Sequence, residues 1–283
     1  MTTIKTSTSP SLSISIVIYR SALEVLSETL STLLSSVSHS LEDGDLSSAQ
    51  ITLVHNAVPC PQLSALIQDF TQRAAKKEVQ VRLLEGHGNI GYGRGHNLAV
   101  LAASSDYHLI LNPDVKLVED SLSQGLRFMA DHSEIVALSP AVVGEDGSKQ
   151  YVCKRYPSVL DFVIRGFAPN FVKGWFSKRL AHYEMQDLPE QEPSTDIPII
   201  SGCFMLFRTQ ALQGVEGFDD RYFLYFEDFD LSLRVHCKGA LAYLPSMKIV
   251  HLGGNSAKKG LRHIGMFARS GLRFYNTHGW RLL

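Results

Sequence analysis

The chain predicts an α/β domain built on a mostly parallel, Rossmann-like central sheet flanked by helices. Three observations carry that expectation. Short β-branched runs alternate with amphipathic stretches from residue 13 to residue 103, the rhythm of strands joined by crossover helices. A glycine-rich stretch, GHGNIGYGRGHN at residues 86–97, sets five glycines in twelve residues at the edge where such sheets receive ligands. Composition is that of a globular protein with an ample core: 45% hydrophobic and 19% charged residues over 283 positions.

Several classes are excluded by the same composition. A formal net charge of −1 gives no basis for nucleic-acid binding. Cys60, Cys153, Cys203 and Cys237 are far apart, without a C-x-x-C pair, which speaks against a disulfide framework or zinc site and for a reducing compartment. Residues 1–12 read as a disordered polar lead without a signal peptide's apolar stretch, and no run reaches the roughly 18 apolar residues of a membrane span. The expectation is a soluble, cytoplasmic protein.

Taken in order, residues 13–19 (SISIVIY) form a buried strand, and Ser21 caps a helix to about residue 37. A second strand, 51–54, ends at His55-Asn56; a helix over 62–75 leads to a third strand, 79–84. Ligands of a parallel sheet lie beyond the carboxyl ends of its strands, which puts Tyr19, Asn56 and Glu85 along one edge. Gly91, Gly93 and Gly95 then match neither the dinucleotide fingerprint nor a phosphate loop. This loop opens a helix from Gly95 to about residue 103 and either receives a phosphate or sugar or is simply a tight turn.

The strand at 107–111 runs straight into Asn112-Pro113-Asp114. A hard divalent cation takes carboxylate oxygens, and a strand end with a stiff proline turn aims Asp114 at the ligand edge; the alternative is a plain turn. A helix over 119–131, a strand over 135–143 and a turn at 144–147 follow. Residues 149–196, with four prolines and scattered cations, predict a partly helical insertion that either covers an acceptor or varies as surface. Residues 197–208 read as one strand interrupted at Ser201-Gly202, where a missing side chain marks a bulge or a close ligand approach. Two short strands, 240–244 and 248–250, deliver His251, a metal ligand or an ordinary loop histidine.

Between them lies FDDRYFLYFEDFDLSLR, residues 218–234, with five carboxylates among aromatic rings. Acids in so apolar a setting are costly to desolvate unless something uses or compensates them. Phe226, Phe229, Leu231 and Leu233 anchor a helix ending near Gly239, with Glu227 and Asp228 in its first turn, at the positive end of its dipole. A half-buried carboxylate there is a candidate general base.

The succession NIGYGRGHN, LNPD, SGCFMLFR, GFDDRYFLYFEDFDLSLR and IVHLGGNS resembles the inverting family-two glycosyltransferases of the GT-A fold, most of all their bacterial rhamnosyltransferase-type branch, from about residue 13 to residue 280. The resemblance implies a GT-A domain over 13–256, with 149–196 as a small acceptor-side subregion. It matches Asn112-Pro113-Asp114 to the family's D-x-D-like position, where Asp114 contacts Mg²⁺ or Mn²⁺ bridging the nucleotide diphosphate, and His251 to the histidine completing that site. Glu227-Asp228 matches the acidic doublet whose second member is the general base. Asn89, Gly91 and Asn97 match the loop near the donor, with Arg94 there in place of a small residue; Tyr19 and Asn56 match nucleotide-facing strand ends. His55 departs from the aspartate usual beside the nucleobase.

The implied reaction moves L-rhamnose from dTDP-L-rhamnose, or a hexose from a UDP-sugar, onto a glycan or undecaprenyl-linked acceptor. A non-catalytic sugar-nucleotide or glycan-binding module is the competing class. Residues 257–283 alternate cations with apolar residues and contain no acid. They are either an interfacial helix docking peripherally on the inner face of the cytoplasmic membrane or a core-packed helix with a solvated basic face.

Overall fold

The computed structural model describes residues 9–253 and 261–283. Lys258, Lys259 and the end of the HLGGNS motif therefore lie outside the described residues. The chain opens with β1 (Ser11–Ile18), α1 (Leu23–Glu42), β2 (Ser48–His55), α2 (Pro61–Ala75) and β3 (Gln80–Leu84). Next come α3 (Tyr92–Val100), β4 (Tyr107–Leu111), β5 (Val115–Leu117), α4 (Ser121–Asp131) and β6 (Ile135–Val143). The middle region holds β7 (Lys149–Gln150), β8 (Cys153–Lys154), α5 (Val159–Phe167), α6 (Asn170–Trp175), α7 (Ser177–Tyr183) and β9 (Ile199–Ile200). The chain closes with β10 (Phe204–Arg208), α8 (Thr209–Gln213), α9 (Glu227–Val235), β11 (Ala240–His251) and α10 (Leu261–His278).

The main sheet runs β3-β2-β1-β4-β10-β6-β11-β5, with β7 pairing on β6. β10 and β5 run against the other strands on this path, so the sheet is mostly parallel. Antiparallel β10 matters for function, because it brings its own start, rather than its end, to the ligand edge.

β1 shows how alternation builds the two faces. Leu12, Ile14, Ile16 and Ile18 join the core beneath α1, α2 and α4. Ser13 and Ser15 face the other way and are buried, yet satisfied: Ser13 Oγ lies 2.6 Å from His108 Nδ1, and Ser15 Oγ lies 2.9 Å from His108 Nε2 and 2.7 Å from His96 Nδ1. Burial pushes His108 down to about 3 and His96 well below the usual imidazole value, so both rings are neutral pieces of core.

The structure corrects several local expectations. β1 begins at Ser11, inside the lead expected to be disordered. Ala22, not Ser21, is the N-cap of α1, and no side chain caps it. Residues 197–208 are not one interrupted strand: β9 pairs with β8 in a separate two-stranded sheet, and β10 belongs to the main sheet. Residues 240–251 form a single strand with a register shift between Leu244 and Lys248. The helix after the glycine loop starts at Tyr92, with Gly91 as its cap at φ 94°. The C-terminal helix is core-packed: Phe274 is buried, and Phe267 and Phe274 join an aromatic cluster with Phe226 and Phe162. No helix among the described residues is long and apolar enough to cross a membrane.

Candidate active site

Strand pairing brings Asp114 and His251 together from distant parts of the sequence. β5 and β11 pair antiparallel with Val115 opposite His251, and the Leu252 N–H donates to the Asp114 carbonyl at 2.9 Å. His251 Nε2 then lies 3.5 Å from Asp114 Oδ1, a buried oxygen with no hydrogen-bond partner among the described residues. Thr29 Oγ1 pins the turn by donating to the Pro113 carbonyl at 3.0 Å. Gly253 closes over the pair so tightly that a Cβ there would collide with Asp114 Oδ2 and meet His251 Nε2 at 3.0 Å.

Gln150 completes this arrangement, and sequence reasoning passed over it. Its Nε2 donates to the His251 carbonyl at 3.0 Å, which fixes the amide's orientation; its Oε1 then accepts from His251 Nδ1, also at 3.0 Å. A proton therefore sits on Nδ1, and Nε2 is turned toward Asp114. Nothing in a one-residue polar position on a two-residue strand announces this; it exists because β7 lies beside β6 and β6 beside β11.

A buried carboxylate oxygen without a donor and an imidazole nitrogen beside it suit a hard divalent cation. One carboxylate and one imidazole are few protein ligands, as expected where substrate phosphates and waters supply the remainder.

The second acidic feature is Glu227-Asp228, which opens α9. The turn before it is strained, with Tyr225 and Phe226 both at positive φ, 72° and 65°. Non-glycine residues there cost about 1–3 kcal/mol each and persist only where surroundings over-determine them. Here the surroundings are aromatic: Phe226 is buried with ring centroids 5.0 Å from Phe162 and 5.3 Å from Phe274. Asp228 Oδ2 accepts from the Gly202 N–H at 2.9 Å and its Oδ1 from the Phe229 N–H at 3.0 Å. Glu227 is 5% exposed, and its Oε2 has no partner among the described residues.

Burial first, then the neighbouring Asp228 carboxylate, push Glu227 up to about 8. Burial also raises Asp228, but backbone N–H groups oppose it. Both donors favour the charged form of Asp228 alone, so Asp228 is the ionised member and Glu227 keeps its proton at neutral pH.

The start of β10 ties these two features together. The Cys203 carbonyl accepts from the Asn112 N–H at 2.9 Å, on the side of Asp114, while Gly202 holds Asp228. Asp230 serves packing: it is fully buried between Arg234 Nε at 2.7 Å and His278 Nε2 at 2.8 Å, which joins α9 to α10.

The glycine loop has a different character from the one expected. Asn56 is buried and spends its amide on the loop, donating to the Gly91 carbonyl at 2.8 Å with its Oδ1 2.9 Å from His87 Nε2. Asn89 Oδ1 accepts from the Gly91 N–H at 3.1 Å. Asn97 donates to the Phe218 carbonyl at 2.7 Å and accepts the Phe218 N–H at 2.9 Å. Arg94 Nε donates to the Asp220 carbonyl at 2.6 Å, which ties its guanidinium to the 218–223 turn. These side chains shape and brace the loop. Tyr19 remains exposed at the end of β1, and His55, buried at the end of β2, has Nδ1 3.6 Å from Glu85 Oε2.

A family model, Glycosyl transferase family 2, matches residues 13–215. The chain belongs to glycosyl transferase family 2. Within this family it is similar to "Rhamnosyltransferase WbbL" of Escherichia coli K12, 29% identical over 177 residues covering 58% of this chain and 61% of that protein. It is 32% identical over 194 residues to "N-acetylglucosaminyl-diphospho-decaprenol L-rhamnosyltransferase" of Mycobacterium tuberculosis, covering 64% of this chain and 61% of that one. The match thus spans about three fifths of either relative. The family fold is confirmed by a solved structure, GalNAc-T7 with UDP, GalNAc and Mn²⁺, at TM-score 0.60 and 12% identity, covering 88% of this chain and 44% of that one.

Proposed function

We propose that this family-two protein is an inverting, metal-dependent glycosyltransferase that moves L-rhamnose from dTDP-L-rhamnose onto a lipid-linked or growing surface-polysaccharide acceptor. The similarity to two curated rhamnosyltransferases supports the sugar, and the name of the mycobacterial relative supports a lipid-diphosphate acceptor. The observation that carries the chemistry is the start of β10, where adjacent residues anchor the Asp114 turn and Asp228.

In the proposed reaction Asp228 takes the proton of the acceptor hydroxyl as its oxygen attacks the anomeric carbon. The bond to the diphosphate breaks on the opposite face, and the bonding electrons leave with the diphosphate. A single displacement inverts the anomeric centre and requires no protein nucleophile. Asp114 and His251 would hold Mg²⁺ or Mn²⁺, which when bound supplies Lewis-acid stabilisation of charge on the leaving diphosphate. Glu227, protonated, spares Asp228 a second negative neighbour.

A second reading is transfer of a hexose from a UDP-sugar, because one departure bears on nucleobase recognition. The strand end expected to carry an aspartate beside the nucleobase carries His55, facing Glu85 instead. A screen of donor hydrolysis and transfer with dTDP-rhamnose, UDP-glucose and UDP-galactose separates the two. Turnover of dTDP-rhamnose alone is the expected result; preference for a UDP-sugar replaces the donor assignment, and no turnover with any donor favours a binding module.

A further inference from the structure

Residues 162–183 contain four Lys or Arg residues and no carboxylate. Arg179 is held by Asp161 at 2.6 Å, and Arg165 faces Glu184 at 3.6 Å. Lys173 and Lys178 have no ion pair among the described residues. Four aromatic residues of this region form two pairs. Phe162 and Tyr183 turn inward, their rings 6.0 Å apart, and Phe162 packs on Phe226 immediately before the Glu227-Asp228 doublet. Phe171 and Trp175, one turn apart on α6, turn outward: they are 67% and 80% exposed and touch each other edge-on at 6.1 Å. Val163 on α5 is also exposed. The chain's end is pinned to the same helix, since the Leu160 N–H donates to the carbonyl of the exposed Leu282 at 3.2 Å.

Outward aromatics beside unpaired lysines, in an acid-free stretch, match the chemistry of an anionic lipid surface. The indole has an apolar body and a polar N–H suited to the headgroup layer, and the ammonium groups complement lipid phosphates. The two carboxylates that flank it are withdrawn from the surface: Asp161 of α5 is buried against Arg179, and Glu184 faces Arg165 and Lys154. We infer that α5 and α6 form the membrane-docking face, with Phe171 and Trp175 entering the headgroup layer of an anionic bilayer and Lys173 and Lys178 meeting its phosphates. The inference deepens the proposed use of a lipid-linked acceptor and rests on that reading. It shifts the anchor away from the C-terminal helix, whose Phe267 and Phe274 are turned into the aromatic cluster. Through Phe162 and Phe226 the docking face is joined directly to the helix that carries Asp228.

The chain has two tryptophans, so Trp280→Phe leaves Trp175 as the sole indole reporter. Mixed with phosphatidylglycerol–phosphatidylcholine vesicles, that variant is expected to show blue-shifted emission quenched by brominated lipid. The shift is expected to be absent with pure phosphatidylcholine and to be reversed near 1 M salt, where the Debye length falls to about 3 Å. The double variant Phe171→Ser/Trp175→Ser is expected to lose vesicle flotation at least tenfold while keeping its thermal melt and its donor hydrolysis. Three outcomes overturn the inference: Trp175 emission unchanged by anionic vesicles, flotation of the double variant equal to wild type, or a concentration-dependent dimer in sedimentation that the double variant abolishes without any vesicle binding. Docking through Trp175 without transfer to any polyprenyl-linked acceptor would instead retire the acceptor reading and leave the surface standing.

Discussion

The Gly202 N–H donates to Asp228 Oδ2 at 2.9 Å, while the Gly202 carbonyl accepts from Tyr92 Oη at 2.5 Å. One residue therefore links α3, at the glycine loop, to the acid that opens α9. A side chain there would crowd Tyr92, because a Cβ on Gly202 would lie 3.2 Å from Tyr92 Oη, and would touch Asp228 Cβ at 3.4 Å.

If Asp228 is the base, Asp228→Asn should retain nucleotide-sugar binding in calorimetry and lose transfer by about two to four orders of magnitude, the usual contribution of a positioned base. Asparagine preserves the acceptor at one oxygen but cannot take the proton. Turnover near wild type would remove Asp228 from the mechanism.

Tyr92→Phe tests the linkage rather than the base. It deletes a bond of the kind that contributes about 1 kcal/mol, so kcat should drop about fivefold with KM for the donor little changed. An effect on KM alone would show that Tyr92 serves donor binding instead.

Gln150→Ala frees the His251 ring to rotate and to exchange its tautomer. Mn²⁺ affinity, measured by titration calorimetry in the presence of dTDP, should fall about 10- to 100-fold, the range for partners that orient a metal-binding histidine. Gly253→Ala should abolish Mn²⁺ binding altogether by filling the space at Asp114 Oδ2. Chelation with EDTA should stop transfer, and added Mn²⁺ should restore it. Unchanged affinity in both variants would place the cation elsewhere.

Stability should peak near pH 6.5, through groups acting with opposite sign. Glu227, raised to about 8, keeps a proton on folding that the unfolded chain has released above its ordinary value. Stability from this group is therefore full below about pH 4.5 and is lost as pH rises to about 8. His96 and His108 are depressed, His108 to about 3, so unfolding takes up protons below about pH 6.5 and stability is lost as pH falls. At about 1.4 kcal/mol per pH unit per proton, the two histidines outweigh the one glutamate on the acid side, and Glu227 dominates between about 6.5 and 7.5, above which Lys154, lowered by burial to about 8, begins to act against it. Denaturant melts across this range should show the maximum, and Glu227→Gln should flatten its alkaline limb while leaving the acid limb in place.

Alternation and turn chemistry made the scaffold legible. SISIVIY, the LNPD strand end and the strand at 135–143 follow from local patterns that tertiary context reinforces, and the two last were bounded correctly. The family is legible for the same reason, because its motifs sit at strand ends and helix starts that local residues specify. Asp114, His251, Glu227 and Asp228 could be named from such positions.

Their roles could not be weighed there, because each depends on a partner distant in the chain. Asp114 meets His251 only through the β5–β11 pairing, and Gln150 reaches His251 only across the sheet. Which member of Glu227-Asp228 is charged depends on where Gly202 points its N–H, a consequence of β10 running against its neighbours. Arg94 and Asn97 show the converse. Their place in a glycine-rich loop was legible, whereas the backbone they hold, residues 218–220, is reached only in the folded chain. Periodicity and short-range motifs are enough to specify the scaffold, the family and the candidate acids. How those acids are paired, oriented and charged follows from the folded chain, because hydrogen bonds and desolvation are set by neighbours in space.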